Sequence, residues 1–418
     1  MRDRWSRWQE LVEASGATIF AAAASVVALA LTARALGPEG RGYFASLTGW
    51  VFLASSLGSL SIGQVIVSQI SGKPHVEWID EVLGSSVALI LLSSVVCWSA
   101  LAAVYLTGVS EPSGVGLVSC VVAFAALPLL MWNDNGRYVM FSLDQVRTYG
   151  RALILGHSAN VVVLGAAVAV GRLTLDIALA SWALTYVAVA VVTMRGALRQ
   201  SKAPRFSGAR VRSILRGSGR LHLTTVATFI QLQASVLIVA FYRGAREAGL
   251  YQLAVQIVSI GTLLPLAASI VCYRIVSTNG PDSAWAQQRR LVGWTMAAML
   301  AAIPIGYVLT PLAVDLVAGP EFGDAVPAVR VMLGALAGMG LSMMMASQWI
   351  ARGLFIQTSA ISVAAALLSL VADFLLIPRY GLMGATVSTL LVYGAAMMVN
   401  GAFALRIERR WRTAQASI

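Results

Sequence analysis

The chain has 418 residues, 58% of them hydrophobic and only 11% charged, and a net charge of +12. A soluble domain carries roughly 25% charged residues, so this composition excludes the two or three soluble domains that length alone would suggest. The cations are nearly all arginine and lie in no basic, aromatic-interleaved patch, which excludes nucleic-acid binding and points to basic loops beside a membrane.

Lipid offers no partner for backbone N–H and C=O groups, so each crossing needs a helix of about 20 mainly apolar residues. The apolar runs predict twelve spans, at 11–33, 43–66, 83–107, 115–133, 151–171, 176–194, 221–242, 250–273, 291–314, 328–349, 358–377 and 382–405. The first run is too long for a cleaved signal peptide, and a retained span is expected. An even count puts both termini on one side. If that side is cytoplasmic, it holds 23 of the 30 Lys and Arg, leaving Arg34, Arg41, Arg172, Arg243, Arg246, Arg330 and Arg379 opposite. The asymmetry predicts a multi-pass protein of a bacterial inner membrane with both termini cytoplasmic.

In chain order, the first signal is Glu39-Gly-Arg-Gly-Tyr43, which leads into span two. Glu247-Ala-Gly-Leu-Tyr251 leads into span eight, half a chain later, in the same topological place. A repeat with an even number of spans keeps its orientation. Two six-helix lobes follow, 1–200 and 221–418, joined by a basic segment, 201–220. The stretch 195–220 holds eight cations and no acid. It either anchors the topology or grips anionic lipid headgroups.

Cys97, Cys120 and Cys272 lie in apolar runs and read as small core residues. His75, His157 and His222 are too dispersed for a metal site, and His157 is either a packed core histidine or a proton relay. No P-loop, H-E-x-x-H or C-x-x-C motif occurs. No predicted loop is large enough for a catalytic domain, so an enzyme is not expected.

The run Leu31-Thr-Ala-Arg-Ala-Leu-Gly-Pro-Glu-Gly-Arg-Gly-Tyr-Phe-Ala-Ser46, with Leu57-Gly58 and Gly63 downstream, resembles the first hairpin of bacterial polysaccharide-biosynthesis flippases. These are O-antigen translocases within the multidrug/oligosaccharidyl-lipid/polysaccharide (MOP) exporter superfamily. Glu247 to Tyr251 resembles that family's turn between spans seven and eight. Leu376-Ile-Pro-Arg-Tyr-Gly381-Leu-Met-Gly384-Ala-Thr resembles the turn between its last two spans. The resemblance implies an all-α, MATE-like fold of two six-helix bundles around a V-shaped cavity. It implies a polyprenyl-pyrophosphate-linked oligosaccharide as cargo, flipped from the cytoplasmic to the periplasmic leaflet. It also implies a polysaccharide polymerase and glycosyltransferases as pathway partners. Asp373 stands where this family is expected to carry Asn, which suggests H⁺ or Na⁺ coupling, or a pair with Arg379; no other cofactor is implied.

Moving one hydroxyl from water into alkane without a partner costs about 4–8 kcal/mol, so an oligosaccharide headgroup needs a wet, hydrogen-bonding route. Arginine suits pyrophosphate, and amides, hydroxyls and aromatic rings suit sugars. Candidate contacts are Arg34 and Arg220 for pyrophosphate, and Gln64, Gln231, Gln233, Gln252, Gln256 and Gln348 for sugar. Gln252 and Gln256 share one helix face. The alternative for each glutamine is helix–helix hydrogen bonding, and for each arginine snorkelling at a span end. Met343, Met344 and Met345 keep open a cation-coupled multidrug exporter on the same scaffold, or else are packing.

Overall fold

The computed structural model describes the backbone of residues 2–70, 78–106 and 115–416; the side chains of 1–15, 68, 104–106, 220, 221 and 414–416 are outside the description. The described elements are helical. They are α1 (Arg2–Gly58), α2 (Ile62–Ile70), α3 (Ile79–Leu106), α4 (Leu117–Ala125), α5 (Leu127–Ser142), α6 (Val146–Ala169), α7 (Leu175–Leu198) and α8 (Gly208–Ile260). They continue with α9 (Leu263–Asn279), α10 (Trp285–Ala318), α11 (Val326–Met332), α12 (Leu336–Ala351) and α13 (Phe355–Ala416).

Among the described residues nine helices are long and apolar enough to cross a membrane. Three of them are really hairpins. α1, α8 and α13 are broken at Gly37 (φ 66°), Gly244 (φ 85°) and Gly381 (φ 55°), a region that L side chains avoid. Among the described residues, taking each side of a break separately gives twelve apolar segments in the predicted order, the eighth continuing beyond Ile260 into the shorter apolar helix α9. The breaks at Gly37 and Gly244 immediately precede the repeated Glu39 and Glu247 motifs. In the second copy the motif has a visible task. Glu247 accepts the Leu382 backbone N–H at 2.8 Å and pairs with Arg243 at 3.0 Å, so it caps the helix that restarts after Gly381. Tyr251, from the same motif, bonds Thr389 at 3.0 Å.

The chain divides into two compact units. The first is Met1–Leu237 with Gly244–Arg246, and the second is Ile238–Arg243 with Glu247–Ile418. The boundary therefore falls within α8, further along than the 201–220 linker of the sequence-based division. In the first unit α6 packs on α7 and α1, and α5 on α7 and α2. Its core includes Ile62, Leu127, Met131, Met140, Leu179 and Ile214, all wholly buried. In the second unit α12 packs on α9 and α13, and α10 on α9. Met344 and Met345 are wholly buried there, so two of the three consecutive methionines are packing. Cys97, Cys120 and Cys272 are free thiols, the last two buried.

Candidate functional site

The site begins with a run that a hydropathy reading cuts off. Pro128 starts α5 by removing one backbone donor, which separates it from α4. From there α5 continues to Ser142, nine residues past the span end expected at 133, through Asn133, Asp134, Asn135, Arg137 and Tyr138. Helical periodicity sorts these polar residues. Trp132, Asn135, Gly136 and Val139 form a buried stripe, while Asp134, Arg137, Tyr138 and Phe141 form a half-buried to exposed one.

Asn135 is a fastener. Its amide oxygen accepts the Gly63 N–H at 2.6 Å and its nitrogen donates to the Met131 carbonyl at 2.8 Å. This holds the start of α2 against α5, just after Leu60 and Ser61 take positive φ. Gly63 is required for the approach, since a Cβ there would lie 2.4 Å from the Tyr138 ring. One residue on, Gln64 donates to the Tyr138 hydroxyl at 3.3 Å. Arg137 lies over the same ring, 5.0 Å from its centroid, and donates to its hydroxyl at 3.4 Å. Arg137 is exposed and forms no salt bridge among the described residues. Beside Gln64, Ser61 shares a hydrogen bond of 3.0 Å with Thr225 and lies 3.5 Å from His222 Nδ1, both on α8.

Asp134 is within electrostatic reach of Arg137, Tyr149 and Tyr186. Tyr186 in turn packs edge-on against Trp182 at 5.2 Å and Phe52 at 6.5 Å. The first unit therefore presents a cation on an aromatic ring, with an amide, hydroxyls and further half-buried rings beside it. That is a donor set for phosphate and sugar. Among the described residues no group of three His, Cys, Asp or Glu could hold a metal ion.

The polar groups of the second unit are arranged differently. Gln348 is fully buried. Its nitrogen donates to Gln288 Oε1 at 2.6 Å and to the Pro281 carbonyl at 3.1 Å, and its oxygen accepts from Arg352 at 3.2 Å. Gln288 also donates to the Met344 carbonyl and Ser347. Gln348 thus ties helices together and is not an open lining residue. Asp373, also fully buried, accepts from Ser369 Oγ at 3.5 Å, and Ser388 donates to the Ser369 carbonyl at 3.4 Å.

The remaining expected residues are scattered. Arg34 is exposed on α1, and Arg220 lies outside the described side chains. Gln231, Gln233, Gln252 and Gln256 are half-buried, the first two on the first unit's part of α8 and the other two on the second unit's part. Of the eight expected residues whose side chains are described, only Gln64 belongs to the Arg137 cluster.

Residues 9–273 match the model of the polysaccharide biosynthesis protein family. The chain belongs to that family. Its fold is that of the MOP superfamily transporters. The lipid II flippase MurJ in an inward closed conformation aligns with a TM-score of 0.77 at 11% identity, over 94% of this chain and 87% of that one. An inward-facing multidrug resistance MATE transporter aligns at 0.72 and 14%, over 92% and 94%. A MOP superfamily transporter from Pyrococcus furiosus, described by a binding pocket of reversed polarity, aligns at 0.62 and 15%, over 96% of both chains. No curated protein matches the sequence significantly. The chain is thus a multi-pass membrane protein of the polysaccharide biosynthesis family, and its polar intramembrane groups are candidates for function.

Proposed function

We propose that the protein moves a polyprenyl-pyrophosphate-linked oligosaccharide, such as an O-antigen or other polysaccharide repeat unit, from the cytoplasmic to the periplasmic leaflet by alternating access. The inner membrane of a bacterium, with both termini cytoplasmic, is the setting that the charge asymmetry supports. The observation that carries the reading is Arg137, an exposed guanidinium within a span, stacked on Tyr138, with Asp134 in electrostatic reach but no salt bridge among the described residues. A planar fork of donors matches pyrophosphate oxygens, and the ring, Gln64 and Ser61 match sugar faces and hydroxyls. Asp373 is the coupling carboxylate in this reading. A charge buried in a membrane hairpin must be neutralised, and a proton or Na⁺ can do so reversibly.

Reconstitution into proteoliposomes with a labelled lipid-linked oligosaccharide tests this directly. The wild type should speed transfer between leaflets, and Asp373→Asn should remove the dependence on a proton or sodium gradient. Failure of the wild type to speed transfer, together with uptake of fluorescent organic cations, would replace this reading with a multidrug exporter.

A further inference from the structure

The basic stretch after α7 is a fastened strap. Asp80, at the start of α3, accepts the Lys202 N–H at 2.9 Å and the Ser201 hydroxyl, and its carbonyl accepts the Arg205 N–H at 2.9 Å. Ser207 N–H donates to Ser85 at 3.2 Å, and Arg210 pairs with Glu81 at 3.4 Å. Gly84 admits the strap, because a Cβ there would lie 2.3 Å from the Arg205 carbonyl oxygen. Both nearby acids are thereby engaged. Arg195, Arg199, Lys202 and Arg205 remain exposed, with no salt bridge among the described residues.

A groove between α3, α5 and α7 has the exposed Arg195 in its wall. Its volume is about 400 Å³, and its walls include Val87, Leu91, Leu129, Trp132 and Val191. The Trp132 indole N–H is bonded to Thr193 at 2.9 Å, so the floor offers the groove no donor. The sole charged wall residue is Arg195, in the last turn of α7. The groove uses the Leu129–Trp132 side of α5, whereas Arg137 and Tyr138 lie on another stripe of that helix.

We propose that this groove is a resident site for an anionic phospholipid, with one acyl chain along α3, α5 and α7 and the phosphate at Arg195 under the strap. Hydrocarbon walls suit a chain, and an arginine in the last turn of a spanning helix suits an anionic headgroup. A saccharide headgroup would find no hydrogen-bonding partner on these walls, so the occupant is a membrane lipid and not the glycolipid cargo.

Native mass spectrometry of the delipidated full-length protein, titrated with phosphatidylglycerol, phosphatidylcholine or a polyprenyl phosphate, tests the site. The wild type should retain one phosphatidylglycerol, preferred over phosphatidylcholine by about fivefold, the effect of one cation near an anionic surface. Arg195→Gln should erase that preference. Val191→Trp, which fills the groove from its exposed side, should abolish retention. Arg409→Gln, on the exposed face of α13, should change nothing. Equal binding of phosphatidylcholine, undiminished retention in both groove variants, or displacement by an equal concentration of polyprenyl phosphate would overturn the proposal.

Discussion

Gln64 and Gln348 are the same residue type, each in an apolar segment, yet they sit in opposite circumstances. Gln64 is half-buried on one long hydrogen bond of 3.3 Å to a tyrosine that also carries an arginine. Gln348 is wholly buried, and both ends of its amide are engaged. In a membrane a polar side chain can glue helices or receive cargo. The number and quality of its partners, and the room beside it, tell the two apart. In the Arg137 cluster the guanidinium is exposed and Gln64 and Tyr138 are half-buried, while the Gln288–Gln348 network is closed.

Four substitutions sharpen the contrast. Arg137→Ala should have the largest effect. A hydrogen bond to a charged group contributes about 1.5–3 kcal/mol, so transport should fall at least roughly tenfold, with the melting temperature unchanged. Gln348→Leu should do the reverse. It leaves buried Gln288 and nearby Arg352 short of a partner, at about 1–3 kcal/mol for each buried group. Thermal melting in detergent should fall by several degrees while each folded molecule transports normally. Gly63→Ala should push the Tyr138 ring away and lower transport a few-fold, with a small loss of stability. Gln64→Leu should have the smallest effect, within about threefold on transport, since a neutral hydrogen bond contributes about 0.5–1.5 kcal/mol. If Gln64→Leu harms transport more than Arg137→Ala, the guanidinium is not the main contact.

Much of the fold was legible because lipid imposes a simple rule on backbone groups. Twelve apolar runs become twelve apolar segments, and the Glu39 and Glu247 motifs mark breaks at Gly37 and Gly244. The Arg137 cluster was not legible for the same reason. A hydropathy reading stops where Asn133, Asp134 and Asn135 begin, so it assigned a loop where α5 continues to Ser142. The missed signal was the spacing. Polar residues at 134, 137 and 138 share one helix face, while Trp132 and Val139 keep the other buried. The Gln348 network was hidden because two of its partners, Gln288 and the Pro281 carbonyl, come from residues 60 or more positions away, which no local pattern reveals. Met344 and Met345 fill cores and lend no support to a drug-binding cavity.

The most direct test sets the two regions side by side in proteoliposomes, with transfer of a labelled lipid-linked oligosaccharide counted per folded molecule. Arg137→Ala should be stably folded and nearly inactive, and Gln348→Leu should be less stable and active. An Arg137→Ala protein that transfers the glycolipid at the wild-type rate would contradict the account.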